Sequence, residues 1–235
     1  MSNTTLRLAA ATFALAASAG AWADNVNFPG FAHGSETVTI NLSSPDTPIS
    51  EGVSAGGFST VLNGGPSFTS YCVDVYQTIN FGAAPYPEYT PVGSSHAFAN
   101  SNAYADLSKL FATAGVISDA VHEAAFQIAV WEIAYETAGT YNLSSGSASF
   151  TGGTADSSGA LTLASSWLHL LGNNGAGPGI SVLDSSAHQD LIYAPIPEPS
   201  TVLLMAMGLL GIAVVAKRRA ASAGGAPFRG VHMIA

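Results

Sequence analysis

Charged side chains are scarce in this chain, and basic ones are the scarcest. Only 9% of its 235 residues are charged, with 6 Lys+Arg against 15 Asp+Glu, whereas 48% are hydrophobic. Lys109 is the only basic residue between Asp24 and Glu198, a stretch that holds all 15 acidic residues. Nucleic-acid binding requires clustered Lys and Arg, and disorder requires low hydrophobicity. The composition therefore excludes both, and it predicts an acidic protein surface.

Cysteine is almost absent, since Cys72 is the only one. An intramolecular disulfide is therefore excluded. Metal-binding motifs are absent too: His122-Glu123 lacks the second histidine, four residues after the first, that the H-E-x-x-H pattern requires. The glycines form no phosphate-binding loop, so the sequence indicates no metal and no cofactor.

The N-terminus has the pattern of an export signal. Arg7 gives a positive start, residues 8–19 are apolar, and Ala21-Trp22-Ala23 provides small residues before a cleavage site. We expect a signal peptide over residues 1–23, with cleavage before Asp24. The alternative is a short buried helix, but no polar residues accompany the apolar run.

The C-terminus holds a second apolar run, Thr201 to Ala216, followed by Lys217-Arg218-Arg219. Sixteen helical residues extend about 24 Å, which is short of the roughly 30 Å hydrocarbon core of a bilayer. The run therefore predicts a short transmembrane helix over 201–216 that spans with help from flanking residues, with its basic end in the cytoplasm. A buried helix is the alternative.

Pro197-Glu198-Pro199 stands directly before this apolar run. The Pro-Glu-Pro motif, the short apolar run and the basic end together resemble the PEP-CTERM sorting signal of exported proteins in Gram-negative bacteria. The resemblance covers 197–219 and implies recognition and processing by an exosortase, a membrane-embedded cysteine protease-transferase. It also implies passage through the inner membrane and then a cell-surface or extracellular destination. Residues 220–235 form a tail beyond this signal.

The region between the two signals, residues 24–196, predicts one exported domain of the α+β class. Its first half has short alternating apolar segments separated by turn residues, as β-strands do. Its second half has longer helical segments, one of which is apolar on all sides and therefore predicts a buried central helix. The predicted strands cover 37–42, 57–62, 68–79, 140–150, 180–183 and 191–193, with a hairpin turn at 63–65, and the predicted helices cover 103–114, 118–138 and 161–171.

Cys72 and Gln127 are the two residues that indicate a chemically reactive site. An odd cysteine in an exported protein indicates a reactive thiol or intermolecular pairing. Gln127 is the polar residue within the apolar helix, and a buried amide costs roughly 1–3 kcal/mol unless it is hydrogen-bonded. A cysteine thiol held against a glutamine carboxamide in a dry pocket can displace ammonia and form an internal thioester.

Two segments carry a second resemblance: Tyr71-Cys72-Val73-Asp74 and Phe126-Gln127-Ile128-Ala129-Val130-Trp131. In this order they resemble the thioester domain of bacterial surface adhesins, best known from Gram-positive cell walls. The resemblance implies that Cys72 supplies the thiol and Gln127 the acyl group, and that the bond captures surface amines. We expect Asp74 to assist first, because strand alternation places it on the Cys72 face, with His122 as another candidate.

Two alternatives remain open at this stage. Cys72 can be an inert core residue beside a hydrogen-bonded Gln127, in an unreactive structural protein of an exopolysaccharide matrix or biofilm. Cys72 can also be the nucleophile of a hydrolase, in which His122 and Asp74 complete a Cys-His-Asp set of catalytic residues. The favoured hypothesis is covalent adhesion to an amine or polysaccharide hydroxyl, which consumes the bond and is therefore not enzymatic turnover.

Overall fold

The computed structural model describes residues 24–82, 85–137, 140–173 and 175–195, with 205, 207–212 and 217 in the C-terminal segment. The chain divides after Ala194. The described residues of the first unit form nine strands: β1 (Asp24–Phe31), β2 (Glu36–Leu42), β3 (Ile49–Ala55), β4 (Phe58–Leu62), β5 (Ser67–Cys72), β6 (Tyr86–Pro91), β7 (Ala148–Gly152), β8 (Ser181–Asp184) and β9 (Leu191–Tyr193). Its α-helices are α1 (Ala103–Ala114), α2 (Ala120–Tyr135) and α3 (Ala155–Leu170).

Six of these strands close into a barrel in the order β1-β4-β5-β9-β8-β6, and all neighbouring strands are antiparallel. The hairpin between β4 and β5 turns at Asn63 and Gly64, whose φ angles of 51° and 71° suit the left-handed turn that hairpins favour. Phe28, Tyr86 and Tyr89 are buried and pack against one another inside the barrel.

The remaining strands form a second sheet in the order β3-β2-β7. Helix α2 contacts this sheet, strand β5 of the barrel and the other two helices. Every residue from Glu123 to Tyr135 is buried, which confirms the predicted central helix. The α+β class is also confirmed, whereas closure of the barrel was not predicted.

The bounds of α2 and α3 differ from the predictions. Helix α2 covers Ala120–Tyr135 instead of 118–138, and its N-cap is Asp119, whose carboxylate accepts a hydrogen bond from the His122 amide. Helix α3 begins six residues before the predicted start, at Ala155, because Thr154 and Ser157 form a capping box within a stretch that we expected to be a loop.

The strand predictions were too long on both sides of α2. Strand β5 ends at Cys72 instead of continuing to Ile79, and β7 covers Ala148–Gly152 instead of 140–150. The predictions for β2, β4, β8 and β9 agree with the structure to within a residue or so. The chain leaves β5 because the Asp74 carboxylate accepts the Tyr76 amide, a local turn that competes with strand pairing.

Candidate functional site

Cys72 is the last residue of β5, and only 1% of its surface is exposed. It pairs across the ladder with Leu191 of β9. Its thiol donates a hydrogen bond to the backbone carbonyl of Asp74, with 3.0 Å between sulfur and oxygen. Burial raises the pKa of the thiol well above its usual range, and the carboxylates of Asp74 and Asp190 raise it further. The sulfur therefore carries its proton at neutral pH.

Gln127 lies in the middle of α2 with 1% of its surface exposed. Its carboxamide bonds to both backbone polar groups of Cys72: Oε1 accepts from the Cys72 amide at 2.9 Å, and Nε2 donates to the Cys72 carbonyl at 2.7 Å. These bonds offset the desolvation of the amide. The structure thus brings together the two residues that the sequence singled out, although 55 positions separate them.

A second contact joins β5 to α2 one helical turn before Gln127. The Tyr71 hydroxyl donates to Glu123 Oε2 at 2.8 Å, and His33 Nδ1 lies 2.6 Å from Glu123 Oε1. Glu123 is fully buried, and Gly57 leaves room for it, because a side-chain carbon at that position would collide with Glu123 Oε2. Consecutive residues of the strand are therefore fixed to consecutive turns of the helix, which sets the position of the carboxamide relative to Cys72.

Trp131 follows Gln127 by one further turn of α2. Its indole N–H lowers the pKa of the Cys72 thiol and so acts against burial. The same Nε1 atom is buried and has no acceptor in hydrogen-bond geometry within the described part of the chain. The indole is therefore close enough to favour a charged sulfur electrostatically, although no hydrogen bond to it is formed.

The two residues predicted to assist Cys72 have different surroundings. Asp74 lies beyond the end of β5, so the strand-face argument was wrong; its backbone, rather than its carboxylate, contacts the thiol. Burial raises the pKa of the Asp74 carboxyl above its usual value. His122 is half-exposed and pairs with Asp119, with 2.8 Å between Nδ1 and Oδ2. The contacts found for His122 are therefore those of a helix N-terminus rather than of a base beside Cys72.

A cleft of about 290 Å³ opens next to Val73 and Asp74, the two residues that follow Cys72, although neither Cys72 nor Gln127 lines it. Val73, Asp74 and Tyr135 line one part of it, and His96 and Asp190 line another. Burial, followed by the neighbouring Asp184 and Asp74 carboxylates, raises the pKa of Asp190 to about 6. The sequence did not single out His96, Tyr135 or Asp190, because no motif connects residues so far apart in the chain.

Residues 195–219 match the family model described as the PEP-CTERM protein-sorting motif. This match confirms the sorting signal predicted from Pro197, Glu198 and Pro199, and it implies an exported protein that is processed by an exosortase and passes through the membrane. No curated protein and no solved structure matches the chain significantly.

The Pro-Glu-Pro motif, the signal peptide 1–23 and the tail 220–235 lie outside the described residues, as does most of the predicted membrane segment 201–216. Among the helices that the structure describes, none is both long and apolar enough to cross a membrane.

Proposed function

We propose that Cys72 and Gln127 form an internal thioester, and that the exported chain uses it to attach covalently to an amine or hydroxyl on a neighbouring surface or matrix polymer. The observation that carries the proposal is the pair of hydrogen bonds between the Gln127 carboxamide and the Cys72 backbone. They hold an acyl donor against the residue that bears the chain's only thiol. The resemblance of the two flanking segments to adhesin thioester domains supports the same pairing.

The reaction balances without an added reagent. The sulfur of Cys72 bonds to the carboxamide carbon of Gln127, the C–N bond breaks, and the thiol proton leaves with the nitrogen as ammonia. Because the proton lost by sulfur is the one gained by nitrogen, net ionisation of the buried thiol is not required. Holding both groups in place replaces a bimolecular encounter with a unimolecular step.

The contacts of the carboxamide suit this step. Negative charge develops on Gln127 Oε1 as the carbon becomes tetrahedral, and the Cys72 amide donates to that atom at 2.9 Å. A pre-positioned backbone N–H of this kind stabilises an oxyanion. The Trp131 indole favours charge on the sulfur. Low exposure of both residues, at 1% each, keeps water from the stored acyl group.

Opening of the thioester requires access for a nucleophile. The cleft lined by Val73, Asp74 and Tyr135 supplies an approach, because Val73 and Asp74 directly follow Cys72 and Tyr135 lies two turns after Gln127 on α2. The amine or hydroxyl takes the acyl group of Gln127, and its proton returns to the sulfur. The bond is consumed, so the chain acts once and does not turn over as an enzyme.

An unreactive component of an exopolysaccharide matrix or biofilm is the second candidate. It is favoured by the hydrogen bonds that both Oε1 and Nε2 of Gln127 make to Cys72, and by the raised pKa of the Cys72 thiol. On this alternative, Gln127 serves only to join α2 to β5. The sorting signal is compatible with both candidates.

Intact mass of the chain purified after export, compared with the mass calculated for its processed form, distinguishes the two. We expect the wild-type chain and the matched control Gln77→Ala to be lighter than calculated by one ammonia, and to gain one methylamine on treatment. Cys72→Ala and Gln127→Ala should show neither change. A full wild-type mass, together with a thiol that reacts only after denaturation, would refute the thioester and leave the unreactive candidate.

A further inference from the structure

His96, Asp184 and Asp190 meet at one wall of the cleft. His96 follows the 3-10 turn Gly93–Ser95, Asp184 ends β8, and Asp190 directly precedes β9. One nitrogen or oxygen atom from each lies within 4.8 Å of the others. His96 is 88 residues from Asp184 in the sequence, so the cluster exists only because closure of the barrel brings β6, β8 and β9 side by side.

The separations suit ligands of a common ion. His96 Nδ1 lies 3.1 Å from Asp184 Oδ1 and 3.7 Å from Asp190 Oδ2. Two ligand atoms each about 2.1 Å from a tetrahedral zinc are roughly 3.4 Å apart. These two distances bracket that value, and the ligand atoms of Asp184 and Asp190 lie within 4.8 Å of each other.

The supporting contacts hold two of the three ligands in position. The Ser185 amide donates to Asp190 Oδ1 at 2.7 Å, while the other carboxylate oxygen, Oδ2, is the one nearest His96. The His96 amide donates to the Tyr104 hydroxyl, which in turn donates to the Gly93 carbonyl at 2.6 Å. Such outer contacts orient metal ligands in known sites.

The cleft and the local charge are separate observations in favour of a bound cation. His96 and Asp190 line the cleft, so an ion between them would keep an open position on the solvent side. Asp74 lines the same cleft and adds a third carboxylate nearby. Within the ranges that the structure describes, neither Asp184 nor Asp190 forms an ion pair with Lys or Arg; their ion pairs are with His96.

We propose that His96, Asp184 and Asp190 bind a divalent transition-metal ion of the zinc type in the wall of the cleft. Zinc accepts imidazole nitrogen and carboxylate oxygen as ligands of one site, whereas calcium and magnesium favour oxygen ligands alone. Three protein ligands leave a fourth position for water or a ligand in the cleft. The site links the β8–β9 turn to the segment after β6, and it does not depend on the thioester.

Zinc titration of the untagged full chain tests the site. We expect one tightly bound zinc per chain by calorimetry and elemental analysis, and a midpoint of thermal unfolding that rises with zinc concentration. His96→Ala and Asp184→Asn should each weaken binding at least tenfold and remove the thermal shift. Asp184 is the milder change, because 45% of its side chain is exposed, so loss of binding there is separable from misfolding when the metal-free midpoint is unchanged.

The matched control is His188→Ala, which removes a different histidine that pairs with a carboxylate, Glu88, at 2.7 Å. His188→Ala and Cys72→Ala should bind zinc as the wild-type chain does. Equal binding by the wild-type chain, His96→Ala and Asp184→Asn would overturn the proposal, as would absence of stoichiometric zinc binding. Calcium binding without zinc binding would also overturn it, because the imidazole would then have no role.

Discussion

Helix α2 is buried throughout from Glu123 to Tyr135, but the polar groups of its first and second halves are satisfied differently. In the first half, Glu123 accepts from Tyr71 and Gln127 forms two hydrogen bonds with Cys72. In the second half, Trp131 Nε1 and Glu132 Oε2 are buried and have no hydrogen-bond partner among the described residues. Burial by itself therefore does not identify the site.

The difference arises from what packs beside each half. Strand β5 runs along the first half and offers backbone and phenol groups in register with successive helical turns. The second half instead faces the segment before β7, where the Asn142 amide donates to Glu132 Oε1 at 2.6 Å. A strand satisfies both ends of a neutral amide, whereas this segment satisfies only one oxygen of a carboxyl group. Hydrogen bonds therefore fix the side chains in the first half of α2, whereas the second half contains a titratable carboxyl group, that of Glu132.

The largest expected loss of stability comes from removing the hydrogen bonds of Gln127 in the first half of α2. Gln127→Ala leaves the buried amide and carbonyl of Cys72 without these partners, which should lower the free energy of unfolding by about 2–5 kcal/mol. The change is best made in a Cys72→Ala background, where no thioester can contribute. Urea unfolding monitored by tryptophan fluorescence gives the difference.

Gln77→Ala in the same background is the control. Gln77 Oε1 has no hydrogen-bond partner in the described structure, so we expect a loss below about 1 kcal/mol. If Gln127→Ala were no more costly than Gln77→Ala, the strand-helix hydrogen bonds would not be what distinguishes the first half of α2.

A smaller effect is expected in the pH dependence of stability, and it comes from Glu132, the titratable group in the second half of α2. Burial, together with the neighbouring Glu136 carboxylate, raises the pKa of Glu132 from an ordinary value of 4.5 to about 7. The folded state therefore binds this proton more tightly than the unfolded state. The resulting stabilisation is complete below about pH 4.5 and is lost as the pH rises through about 7, a change of roughly 3 kcal/mol.

Glu132→Gln should remove this contribution. Urea unfolding at pH 5, 6, 7 and 8 should therefore give a flatter dependence for the variant than for the wild-type chain, while the exposed Glu51→Gln retains the wild-type slope. Identical slopes for Glu132→Gln and the wild-type chain would mean that Glu132 ionises as readily in the folded chain as in the unfolded one.

The smallest effect concerns the start of α2. Asp119→Ala removes the N-cap bond to the His122 amide and should cost about 1 kcal/mol, whereas Ser118→Ala should cost almost nothing. Thermal unfolding of the two variants side by side measures the difference. Equal costs would mean that the hydrogen bond from the His122 amide to Asp119 adds nothing to the stability of the helix start.

Some of this architecture was predictable because its causes are local. Turn residues such as Asn63-Gly64 lie between alternating apolar segments, and hairpins require the left-handed backbone that these residues adopt readily. The apolar residues around Gln127 predicted a buried helix, because they lie on all sides of it. The end of β5 was missed because the turn at Asp74 depends on a side-chain hydrogen bond, which strand periodicity does not reveal.

The sequence by itself determined the sorting signal, the α+β class and the buried position of Gln127, because each depends on composition or on spacing within one segment. Only the tertiary structure decided that the Gln127 carboxamide contacts the Cys72 backbone, and that His96 meets Asp184 and Asp190. These contacts join residues 55 and 88 positions apart. They depend on how the barrel closes around β5 and β9, and no local pattern encodes that closure.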